Sequence, residues 1–316
     1  MIDVLLALAL LGTAAGVLLT RDLYRSVVLF IVFGLLMTLV WVRMQAPDLA
    51  LAEAAIGAGL TGVLLLDALG HLNPDKAAAV RQKHQQPLLS GLAFLLALGI
   101  TGLLWLALVG SPDPGVKLSD AVTQQLSASG VEHPVTAVLL SFRAYDTLLE
   151  VAVILVAVVV GLALRFSQAD QPAETQVLSP LLHRMLIWLL PLMLLVSVYL
   201  LWIGSYRSGG AFQAAAVLAA LAVLMRMSGL KIPGHDDLRV LRLGLVLGLG
   251  LFLLVGSLSM ITGGAFLAWP RGWEGSAILL VEAGLTFSLG ALLFSLFEAS
   301  PAPHQARLTI GEVVRE

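Results

Sequence analysis

The chain has 316 residues, 59% of them hydrophobic and 12% charged, with a formal net charge of −2 and a mean hydropathy of +0.96. Soluble globular domains carry about 25% charged residues, whereas this chain gathers its apolar residues in runs of about 18 or more, the length that crosses a bilayer. A water-soluble fold is excluded, and the absence of Cys also excludes disulfides, iron–sulfur ligation and thiol catalysis.

Hydropathy predicts an all-α integral membrane protein with nine spans, at about 2–20, 26–43, 47–69, 88–109, 142–164, 182–203, 210–228, 238–260 and 276–297. The first reads as a retained span rather than a cleavable signal peptide. It lacks a basic leading segment, and the second span follows a short turn from Arg21 to Arg25. Pro47 and Pro180 suit first-turn positions, and Pro191 is expected to kink the sixth span. One set of alternate loops and span ends holds thirteen Lys and Arg: Arg21, Arg25, Lys76, Arg81, Lys83, Arg165, Arg184, Arg226, Lys231, Arg239, Arg242, Arg307 and Arg315. The other set holds four, Arg43, Lys117, Arg207 and Arg271. By the positive-inside rule the N-terminus is expected outside and the C-terminus in the cytoplasm.

A basic loop at 70–87, an outer loop at 110–133 with an amphipathic "LSDAVTQQL", and a polar candidate linker at 166–180 divide the chain into spans 1–3, 4–5 and 6–9. The six His (71, 84, 133, 183, 235 and 304) fall in loops or at span ends without metal-ligand spacing, so neither a metal nor another cofactor is expected. No nucleic-acid partner is expected either.

The informative residues are the charges inside apolar segments. In "LLSFRAYDTLLEVAVILVAVVVG", Arg143, Asp146 and Glu150 are spaced i, i+3 and i+7, one stripe of a helix. The 32 residues from Pro134 to Arg165, read as one helix, would span about 48 Å, so Arg143 alternatively sits at a water-exposed mouth. Span 3 carries Glu53 among small residues, with Asp67 near its other end, and span 9 carries Glu282. An acid near a helix centre costs about 2.5–3.5 kcal/mol on insertion scales, so these side chains are expected to face protein or water. Glu53, Glu150 and Glu282 each follow the outer end of their span by about 8–12 Å and are expected to form a layer in a proton or cation path. The bland alternative is that they tie helices together by hydrogen bonds. For Asp67 it is a helix-end group reaching lipid headgroups. Asp48 reads as a helix N-cap, and Ala54, Ala58 and Gly62, four apart, as a surface for close helix approach. All four Lys lie in loops, so the chain lacks the buried Lys of a self-contained antiporter and reads as a component of something larger.

"APDLALAEAAIGAGLTGVLLLDAL" resembles the third helix of the MbhD-type component of membrane-bound hydrogenases, a module also found in the C-terminal extension of the large MrpA-type component of Mrp cation/proton antiporters. "HPVTAVLLSFRAYDTLLEVAVILVAVVVGLAL" is similar to the MbhE-type module that follows it there, with an F-R-x-x-D-T-x-x-E run. Residues from about 180 to 298, with "GSYRSGGAFQAAA", "TGGAFL" and a Glu-bearing last helix, resemble the MrpB/MbhF family. The resemblance implies modules at 1–87, 88–170 and 171–316 of a subunit in the inner membrane. Its partners would be antiporter-like subunits, a small three-helix subunit and the lipid bilayer, and its ions H⁺ and a monovalent cation, Na⁺ being the expected one. It carries the family's functional acids onto Glu53, Asp146 and Glu150, with Arg143 in the same motif and Glu282 in the last helix. It implies transport without covalent catalysis. The same modules also serve membrane-bound hydrogenases and complex I relatives, so an ion-translocating subunit of a redox enzyme is the alternative. A purely architectural subunit is a third reading.

Overall fold

The computed structural model describes residues 1–20, 22–71, 87–111, 117–165, 180–232, 238–261, 264–270 and 272–298. These form α-helices α1 (Ile2–Leu19), α2 (Leu23–Arg43), α3 (Pro47–Ala52), α4 (Thr61–His71), α5 (Pro87–Gly110), α6 (Leu118–Gln125), α7 (Pro134–Ala137), α8 (Ala144–Arg165), α9 (Pro180–Ile203), α10 (Ala211–Met227), α11 (Leu238–Ile261) and α12 (Glu274–Glu298). Two π-helical segments, Glu53–Leu60 and Val138–Phe142, join α3 to α4 and follow α7. No strand occurs among the described residues. Eight helical stretches are long and apolar enough to cross a membrane, and α10 is a shorter apolar helix of 17 residues. The chain is a multi-pass integral membrane protein, and these nine helical stretches among the described residues fall where hydropathy puts them.

One compact unit contains residues 1–69 and 122–302. Within it α1 and α2 form a hairpin. Asp22 caps α2 by accepting from the amides of Tyr24 and Arg25, and Arg43 closes the other end with a 2.8 Å bond to Asp3. Gly34 of α2 lies against Ala58, and Gly62 lies against Ile31. The Ala54–Ala58–Gly62 stripe therefore packs in part on α2 of the same chain. α12 packs against α8, α10 and α11 and supplies Ile278, Leu285, Leu289 and Leu292 to a core completed by Val151, Val158, Ala215 and Phe252. Small residues permit this packing: Ala214, Ala215 and Ala219 are fully buried, and Gly248 touches the Gly284–Ser288 turn of α12.

The other unit is represented among the described residues by α5 and the start of α6. The amphipathic "LSDAVTQQL" is indeed helical, as α6. Most of the basic 70–87 loop and of the 166–180 linker lies outside the described residues.

Two expected continuous helices are interrupted. Span 3 changes to π geometry at Glu53. The segment before Arg165 is not one long helix: Arg143 (φ −129°, ψ 33°) leaves helical geometry between the Val138–Phe142 π segment and α8. π segments close i→i+5 hydrogen bonds and are frequent at functional sites. Here both adjoin the acidic motifs.

Candidate functional site

α3, α7, α8, α12 and the loop entering α10 enclose a cavity of about 220 Å³ lined by Asp48, Glu150, Gln213 and Glu282 among apolar side chains such as Leu140 and Leu285. Glu282 is 2% exposed. One of its carboxylate oxygens stands beside Gly210 at the start of α10. Gly210 has φ 105°, a conformation that glycine adopts without cost. A carboxylate at a helix N-terminus is favoured by unsatisfied amides and the helix dipole. Its other oxygen, Oε2, is buried and accepts no hydrogen bond from the described residues.

Asp48 is no helix cap. Ala46 holds that position, and the Asp48 carboxylate instead joins distant parts of the chain. Nε2–H of His133 donates to its Oδ2 over 3.0 Å, Ser208 Oγ donates to the same oxygen over 3.2 Å, and the Gly209 amide donates to Oδ1 over 3.2 Å. Gln213 Nε2 donates to the Asp48 carbonyl over 3.4 Å. The α7–α8 break is fastened by three bonds, two of them buried. Thr136 Oγ1 donates to the Gly204 carbonyl, Thr147 Oγ1 to the Leu139 carbonyl, and Trp269 Nε1 to the Leu140 carbonyl.

Among the expected residues, Glu150 and Glu282 line the same cavity. Glu150 is also exposed at the surface of the chain. Glu53 is half-buried, with its carboxylate over Gly57, and is not part of the cavity wall. Arg143 pairs with Asp146, their side chains 70% and 45% exposed, outside that wall. Asp67 is half-buried in α4, well along the chain from it. Sequence reasoning missed Asp48, His133 and Gln213 as one cluster. Gln213, the one polar side chain of α10 before Arg226, was the available signal.

Residues 8–74 match MbhD, a family of MBH subunits, and residues 181–296 match MnhB, a domain related to the MnhB subunit of Na⁺/H⁺ antiporter. A Staphylococcus aureus protein named antiporter subunit mnhA2 is 26% identical over 155 residues, 49% of this chain and 19% of that protein. A chain of the Mrp complex from Dietzia sp. superposes on 96% of this chain and 35% of its own length, with a TM-score of 0.72 and 18% identity. The chain carries an MbhD match followed by an MnhB match. The chain spans about a fifth of the length of the curated relatives it matches. It also shares its fold with a chain of the archaeal membrane-bound sulfane sulfur reductase, a respiratory membrane complex. There the TM-score is 0.53 at 22% identity, over 67% of this chain and 97% of that one.

Proposed function

We propose that this chain is an Mrp-type subunit that works in the inner membrane as one part of a Na⁺(cation)/H⁺ antiporter complex, beside antiporter-like and small Mrp-type subunits. Its N-terminus is outside and its C-terminus cytoplasmic. Modules 1–87, 88–170 and 171–316 correspond to MbhD-, MbhE- and MrpB/MbhF-like parts, and the two family matches fall inside the first and third. The chain performs no covalent chemistry. Glu150 and Glu282 carry protons or cations through the cavity, Glu53 extends the path into the π segment after α3, and Arg143, Asp146 and Asp67 set its charged ends.

The observation that carries this reading is the single cavity holding Glu150 of α8 and Glu282 of α12. Glu282 is enclosed with an oxygen free to bind a proton, cation or water, whereas Glu150 opens to the chain's surface. An ionisable group exposed at membrane depth is costly, so that opening suits a continuation into a neighbouring subunit. The test is Na⁺-dependent proton flux in vesicles containing the assembled complex. Glu150→Gln is expected to lower flux at least about tenfold, while Asp120→Asn, on the exposed surface of α6, leaves it unchanged. Equal effects of the two would defeat the assignment.

A second reading is the ion-translocating part of a membrane-bound hydrogenase or another redox complex, favoured by the MbhD match and the sulfane sulfur reductase likeness. The proteins that copurify with the chain distinguish the two.

A further inference from the structure

Asp48 and His133 take no part in the path described so far, yet Asp48 lines its chamber and His133, behind that lining, is hydrogen-bonded to it. Asp48 lies in the first turn of α3, His133 immediately precedes α7, and the loop after α9 closes on both. The amides of Glu132 and His133 both donate to the Ser205 carbonyl, at 2.9 and 3.0 Å, so this loop fixes the backbone of the imidazole as well as the carboxylate. The side chains of His133 and Asp48 retain 14% and 12% of their exposure. The pair is therefore shielded but not sealed. From Asp48 the lining continues along α3 to Ala52 and into the π segment at Ile56.

We propose that His133 and Asp48 are a proton relay that feeds the cavity. The inference rests on the transport reading above and adds to it the point at which protons enter. Imidazole both accepts and releases a proton near neutral pH, and its Nε2 is already in hydrogen-bond contact with Asp48 Oδ2, the reach that proton transfer requires. A proton arriving from water at Nδ1 makes imidazolium, and the Nε2 proton then moves to Oδ2. The protonated Asp48 releases it to water in the cavity, regenerating the carboxylate and leaving the imidazole to exchange its remaining proton between nitrogens through water. Ser208 and Gly209 hold the carboxylate in place through this cycle. The other charged groups on the surrounding elements are Glu132 beside His133, Arg207 in the loop after α9, Glu53 at the start of the π segment after α3, Glu274 at the start of α12, the Arg143–Asp146 pair before and within α8, and Glu150 and Glu282 along the cavity.

The same contacts also fasten α3 to α7, so the test must separate transfer from packing. Assembled complexes in inverted vesicles are assayed for Na⁺-driven proton flux between about pH 6 and 9. His133→Ala is expected to lower initial flux at least about tenfold, and added imidazole to restore it. Asp48→Asn is expected to lose flux without rescue by imidazole. Full flux at every pH in assembled His133→Ala complexes overturns the relay. Lost flux that imidazole does not restore also overturns it, in favour of a packing role. If His133→Ala does not assemble, His133→Gln keeps an amide donor to Asp48: loss of flux in its assembled complex supports the relay, and normal flux overturns it. A wild-type complex without Na⁺-driven flux refutes the transport reading and the relay with it, whereas normal wild-type flux with an inert His133 refutes the relay alone.

Discussion

Glu282 and Asp48 are both acids in apolar helices, but they differ in their partners. Asp48 is met by three donors. Glu282 has the start of α10 beside one oxygen, and no hydrogen bond to the other among the described residues. An uncompensated buried charge costs several kcal/mol, so a residue held for packing alone would be improved by neutralisation. Glu282→Gln is accordingly expected to leave assembly intact, or to raise the thermal stability of the detergent-solubilised complex, while lowering Na⁺-driven flux at least about tenfold. Retained flux would return Glu282 to an architectural role. Gly210 tests the same corner from the backbone. A Cβ there would stand 3.0 Å from Glu282 Oε1, on a φ of 105°, so Gly210→Ala should destabilise the complex by about 1–3 kcal/mol, read as a lower melting midpoint. Glu282 was legible in the sequence because an acid in an apolar run is conspicuous. Asp48 was not, because Pro47-Asp48 at a helix start reads as local capping. Its real partners stand 85 and more residues away.

The elements were legible to the extent that apolar length defines them. Hydropathy reports how much of a segment is apolar, and the nine helical stretches follow from that. It does not report which hydrogen-bond pattern the backbone adopts, so the π segments at Glu53–Leu60 and Val138–Phe142 were read as ordinary helix. The second is held by a contact from far along the chain, the Trp269 Nε1–H bond to the Leu140 carbonyl at 2.7 Å. Trp269→Phe preserves the ring's packing against Phe252 but leaves that carbonyl without its donor. About 1–3 kcal/mol of stability should be lost, and hydrogen exchange across residues 138–142 should quicken. Unchanged exchange would mean that the π segment is maintained by its own helix. The contact between α2 and the π segment after α3 makes a matching prediction for small residues. A Cβ on Gly34 would lie 3.0 Å from Ala58 Cβ, so Gly34→Val should cost about 1–3 kcal/mol by overpacking, measured as reduced thermal stability in detergent.

On the scale of the whole molecule, apolar surface dominates what the chain presents outward. Every residue of α5 from Gly91 to Gly110 is exposed, as are Tyr145, Leu149, Val153 and Val156 on α8, near Glu150. Lipid can cover the purely apolar faces. The face with Glu150 needs water or a protein neighbour, since a lipid-exposed acid is disfavoured. A C-terminally tagged chain, solubilised from native membranes in mild detergent, is expected to copurify with larger antiporter-like subunits. Iron–sulfur or nickel-containing companions would favour the redox reading, and recovery of the chain alone would defeat both.

The sequence by itself determined the solvent of this protein, its helical stretches and which acids are anomalous, because transfer of each side chain between water and hydrocarbon is an additive property of the residue. It also carried the family resemblance in its motifs. Only the tertiary structure decided that Glu150 and Glu282 share a cavity with Asp48, that Glu53 lies outside its wall and that His133 touches Asp48. Those are distances between residues far apart in the chain. They are set by Gly and Ala contacts, backbone breaks and side-chain hydrogen bonds that no periodicity encodes.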